Sequence, residues 1–90
     1  MTIKETTGKI IYLSDERWRH ILKHPGMANH LEKIEDALLH PDAITKTAVD
    51  EKVRFYYKYD KEKRAYLFVS VKYLNGEGFI ITSLYTDTIQ

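Results

Sequence analysis

Residues 53–86 read VRFYYKYDKEKRAYLFVSVKYLNGEGFIITSLYT, and this stretch decides the fold. Three runs rich in Val, Ile, Tyr and Phe are separated by two polar breaks. The first run, Val53 to Tyr59, ends at Asp60-Lys61-Glu62-Lys63. The second, Tyr66 to Tyr73, ends at Asn75-Gly76-Glu77-Gly78, a strong hairpin signal, and the third is Phe79 to Thr86. Short turns between consecutive strands predict an antiparallel meander.

N-terminal to it, Lys9 to Leu13 (KIIYL) reads as an earlier strand. Ser14 then caps a helix whose first turn carries Asp15 and Glu16, where the helix dipole favours acids. Trp18, Ile21, Leu22 and Pro25 form its core stripe, with Arg17, His20 and His24 on an adjacent flank. Pro25-Gly26 breaks the helix. A second helix spans about Met27 to Leu39, because Met27, Leu31, Ile34 and Leu38 repeat with helical period. His40-Pro41-Asp42 closes it, and Ala43 to Val49 is extended. This order predicts one α+β domain over residues 1–90. Its two N-terminal helices would pack on one face of a mainly antiparallel sheet of about four strands.

The composition narrows the classes. Ninety residues, 43% hydrophobic and 30% charged, suit a single soluble core. There is no cysteine, which excludes disulfides, thiolate metal sites and a cysteine nucleophile, and makes a reducing cytoplasm the expected compartment. The N-terminus lacks the apolar core of a secretory signal, and no apolar run approaches the roughly 20 residues of a membrane helix. Net charge is only +1, but Lys52 to Tyr73 holds seven cations against Asp60 and Glu62. Local charge of that kind steers an anionic ligand.

Alternation sorts the strand residues. Leu67, Val69, Val71 and Tyr73 form an apolar set facing the helices. Phe79, Ile81, Ser83 and Tyr85 oppose Ile80, Thr82, Leu84 and Thr86. Arg54, Tyr56, Lys58, Ser70 and Lys72 are expected together on the opposite, polar face, with hydroxyls from the last strand. Such a face grips phosphates and stacks bases. Alternation alone does not give the register that would choose the last-strand set.

His20 and His24, four apart, stack on one helix face and are open to two readings. One is a solvated flank with local hydrogen bonds; the other is acid–base chemistry, to which imidazole is suited near neutral pH. A zinc helix of the zincin type needs Glu after the first histidine, and here that position is Ile21. No cofactor is expected. His30 and His40 read as structural.

The pattern Trp18-x-His20-Ile21-x-x-His24-Pro25, Tyr56-Tyr57-Lys58 and Gly78-Phe79-Ile80-Ile81-Thr82-x-x-Tyr85-Thr86 resembles the phage- and mobile-element-associated nucleases of the barnase–EndoU–colicin–RelE-like (BECR, PBECR-type) group. The resemblance runs from about Lys9 to Ile89. It implies a toxin-like ribonuclease that cleaves RNA without a metal, with an antitoxin or immunity protein as a further partner. By that resemblance His20 is the first candidate base, Arg54 and Lys58 stabilise the phosphorane, and Thr82, Tyr85 or Thr86 orient the phosphate or the 2′-hydroxyl. Arg17, Tyr56, Ser70 and Lys72 would hold substrate. The rival readings are a non-catalytic RNA-binding module and a protein-interaction domain docking through tyrosines and Phe68.

Overall fold

The meander forms because β-branched and aromatic residues dominate three long strands and short turns join them. The computed structural model describes residues 1–28 and 30–89. Its strands are β1 (Thr2–Lys4), β2 (Ile10–Tyr12), β3 (Ala43–Lys46), β4 (Val53–Asp60), β5 (Ala65–Leu74) and β6 (Glu77–Thr86), and its helices α1 (Asp15–Ile21) and α2 (Leu31–Leu39). The sheet has six strands in the order β1-β2-β6-β5-β4-β3 rather than the expected four or so. The additional strands are short edge pieces whose pairing comes from neighbours rather than from a pattern of their own. β1 pairs antiparallel with β2, and β3 with β4. Among the described residues β2 and β6 form the one parallel pair, and the other pairs are antiparallel.

α2 buries Ile34, Ala37 and Leu38 over β4 and β5, and α1 buries Ile21 over β6. With Ile11, Leu13, Met27, Tyr56, Leu67, Val69, Val71 and Ile80 they form the core. Two helix boundaries differ from expectation. α1 stops at Ile21, so His24 lies in the turn beyond it and Leu22 is exposed. α2 starts at Leu31, although Met27 is buried ahead of it. Among the described residues no helix is long and apolar enough to cross a membrane.

Register overturns the expected polar face. Arg54 pairs with Val71, Tyr56 with Val69 and Lys58 with Leu67. Residues directly opposite share a face, so Arg54, Tyr56 and Lys58 lie on the helix side. Ser70 and Lys72 lie on the other side with Phe55, Tyr57 and Phe68. Between β5 and β6 the register slips at Ser70/Val71, leaving Ile81 without an opposite partner. This bulge breaks the simple alternation of β6. Ile80, Ser83 and Tyr85 face the helices, whereas Phe79, Thr82, Leu84 and Thr86 face away.

The outer face is aromatic. Phe55 and Phe68 have centroids 4.9 Å apart, Tyr57 and Phe68 5.4 Å, and Tyr59 and Tyr66 5.2 Å.

Candidate active site

The polar groups that gather on the helix side are brought there by the α1–α2 connection. Ser14 Oγ accepts from Arg17 N at 3.1 Å and starts α1. Arg17 Nη1 donates to the carbonyl of Ile81 at 3.4 Å, the residue the bulge leaves unpaired. α1 therefore lies along β6. One turn later the His20 and His24 rings stand edge-on, 6.2 Å between centroids.

His24 is half-buried, and its Nδ1 is 2.8 Å from the carbonyl oxygen of Ser83. A carbonyl only accepts, so Nδ1 carries the hydrogen. Nε2 of the neutral ring is then left with the lone pair. Ser83 is held in turn, since its hydroxyl donates to the carbonyl of Phe68 at 2.7 Å.

The chain then turns at Gly26, whose φ of +78° suits glycine. A Cβ there would sit 3.4 Å from Lys63 Nζ and 3.6 Å from the Tyr85 ring. The turn thus closes over Tyr85. His30, at the N-cap of α2, places Nδ1 3.4 Å from the Tyr85 hydroxyl. Tyr85 donates to Asp60 Oδ2 at 2.8 Å, and Lys33 Nζ reaches the same oxygen at 2.6 Å. Lys63 Nζ stands 5.9 Å from the Tyr85 ring centroid.

The electrostatics of this network are one-sided. Burial by itself would raise the Asp60 pKa, but donors from Lys33, Tyr85 and the Lys63 amide outweigh it and hold the carboxyl well below the usual range. Burial and the bond to Asp60 push the Tyr85 phenol up. The Tyr85 hydroxyl thus stays neutral and gives its hydrogen to Asp60. The hydrogen bond from Lys33 Nζ to Asp60 in turn pushes the Lys33 ammonium pKa up.

Of the residues singled out in the sequence, Arg17 and His24 meet β6 at Ile81 and Ser83, and His20 stands beside His24, whereas Tyr85, two residues beyond Ser83, meets His30 and Asp60. Arg54 and Tyr56 lie elsewhere on the helix side, lining a cavity with Glu5 and Tyr73 that contains no histidine. Lys58 is 3.8 Å from Asp42. Thr82, Thr86, Ser70 and Lys72 are on the outer face, where Lys72 pairs with Asp50 at 3.1 Å. Lys33, Asp60 and Lys63 were not singled out in the sequence, and His30, read there as structural, reaches the same network through Tyr85. Among the described residues no group of three or more His, Asp or Glu side chains is set to hold a metal ion.

A family model described as phage-Barnase-EndoU-ColicinE5/D-RelE like nuclease2 matches residues 1–90, the whole chain. Neither the curated proteins nor the solved structures give a significant match.

Proposed function

Because the chain belongs to the phage-Barnase-EndoU-ColicinE5/D-RelE like nuclease2 family, we propose that it cleaves RNA without a metal, with His24 as the base. The observation that carries this reading is the 2.8 Å bond from His24 Nδ1 to the Ser83 carbonyl. It fixes the ring and leaves Nε2 as a directed proton acceptor. Nε2 takes the proton of a ribose 2′-hydroxyl, and that oxygen attacks the adjacent phosphorus. The bond from phosphorus to the 5′-oxygen breaks, and a protonated His20 supplies the hydrogen to the leaving oxygen. The products are a 2′,3′-cyclic phosphate and a 5′-hydroxyl. Lys63, beside Gly26 and Tyr85, supplies positive charge for the phosphorane. Tyr85 and Asp60 hold this corner in place.

The test is incubation with total RNA in EDTA. Wild type should produce cyclic-phosphate ends, and His24→Ala should lower the rate by about 100-fold or more. Intact RNA with wild type would refute the nuclease reading for this chain. Cleavage undiminished in the His20→Ala, His24→Ala double variant would refute the histidine base. In the toxin-like reading, expression alone slows growth, and His24→Ala relieves it.

A further inference from the structure

We propose that the cavity between the Glu5–Lys9 loop, β3 and the start of β4 binds the phosphoryl group of a nucleotide. This site is separate from the histidine cluster. α2 stands between them, with His30 at its start and Leu38, whose carbonyl accepts from Thr6 N, near its end. Nine helical residues make about 13 Å of separation.

The cavity has a volume of about 580 Å³, within the roughly 300–1,000 Å³ of small-molecule sites. Lys9, Lys46, Lys52 and Arg54 line it, against the carboxylates Glu5 and Glu51. Glu5 is 4% exposed and already saturated. Its Oε1 accepts from the amides of Thr7 and Lys9 at 2.8 and 2.9 Å and from the Thr7 hydroxyl. Its Oε2 accepts from Tyr56 at 3.1 Å. Burial would raise the Glu5 pKa, but these donors prevail and keep it lowered. The carboxylate is committed to its own loop, and the four cations against Glu5 and Glu51 leave the cavity with an excess of positive charge.

Among the described residues none of the four cations lies within salt-bridge distance of a carboxylate, whereas Lys33, Lys58 and Lys72 each do. Two of the four are held in position. Arg54 donates through Nη1 to the carbonyls of Glu51 and Val53, which leaves Nε and Nη2 for another acceptor. Lys9 Nζ stands 5.2 Å from the Tyr73 ring centroid. Tyr56 gives its hydrogen to Glu5, so Tyr73 donates to Tyr56 and its oxygen is left as an acceptor only. Unpaired cations in a concave wall repel one another and focus positive potential. A phosphate with two charges and several acceptor oxygens relieves that repulsion and satisfies the free guanidinium nitrogens.

The experiment is a titration of the isotope-labelled chain followed by amide chemical shifts. Three probes are added separately: inorganic phosphate, a 5′-mononucleotide, and a short 2′-O-methyl oligoribonucleotide that cannot be cleaved. Shifts should centre on Thr7, Lys9, Lys46, Lys52 and Arg54. The Lys46→Glu, Lys52→Glu double variant should bind at least about tenfold more weakly. Shifts with phosphate and mononucleotide alone identify a phosphomonoester site; shifts with the oligonucleotide alone identify an RNA-backbone site. No shift at these positions with any probe, or unchanged affinity in the variant, overturns the proposal. The wild-type shift map decides the matter even if the variant misfolds. Because cleavage is not read, failure of the histidine mechanism leaves this result standing, and the reverse is also true.

Discussion

Asp60 shows how one residue at a turn acquires two structural tasks. Its Oδ1 accepts from the amides of Glu62 and Lys63 at 3.0 and 3.3 Å and shapes the β4–β5 loop. Its Oδ2 ties that loop to Tyr85 on β6 and Lys33 on α2. Nothing in the local sequence distinguishes it from an ordinary turn aspartate, because its two distant partners are set by strand and helix placement. The folded-state pKa lies below the unfolded value. The contribution of the charge is therefore complete above the unfolded pKa of about 3.9, and is lost as pH falls through the folded value. Asp60→Asn should lower the melting temperature at pH 7, and the gap from wild type should narrow as pH drops below about 4. Melting followed by circular dichroism from neutral to acid pH checks this. A gap that stays constant would show that charge is not what Asp60 contributes.

At the scale of elements, the parallel contact of β2 with β6 depends on Gly78. It pairs with Ile11, and a Cβ there would lie 2.3 Å from Ile11 Cδ1, 3.0 Å from Val71 Cγ1 and 3.1 Å from the Tyr73 ring. All three neighbours are packed side chains, so Gly78→Ala should destabilise the fold by about 1–3 kcal/mol. A lower denaturant midpoint with an unchanged slope is the expected readout. An unaltered midpoint would mean that β2 can withdraw at no cost. The three long strands, both helices and the turns between them were legible from periodicity. The phase between strands was not. β4 offers Tyr56 on one side and Tyr57 on the other, and both are 2% exposed. Alternation sorts each strand into two sets but says nothing about which set meets the helices. The bulge at Ile81 then reverses the parity of β6 partway along, which no composition rule foretells.

For the molecule as a whole, strand order decides which chemistry meets. Placing β6 centrally, between β2 and β5, puts Ser83 and Tyr85 under the α1–α2 turn, where they join His24 and His30. The closeness of His20 and His24 was readable from their spacing, whereas the approach of His30 to Tyr85 was not. The placement of Arg54 was not readable: register takes it off the face of Ser70 and Lys72 and toward the opposite end of α2, among Lys9, Lys46 and Lys52 from other elements. A chain with net charge +1 gathers these four cations in one concavity, and among the described residues none of them lies within salt-bridge distance of a carboxylate. RNA association should accordingly depend on salt through a few local contacts rather than through overall charge. Four phosphate contacts on a single strand correspond to a slope of about −3 in log affinity against log salt concentration. Lys46→Ala with Lys52→Ala should reduce that slope by roughly half. Lys33, Lys58 and Lys72, already held by carboxylates, release few counterions and add little. Filter binding of an uncleavable oligonucleotide across a salt series measures the slope. A slope near zero, or one unaltered in the double variant, would show that the strand follows another face, leaving the aromatic outer sheet to be probed next.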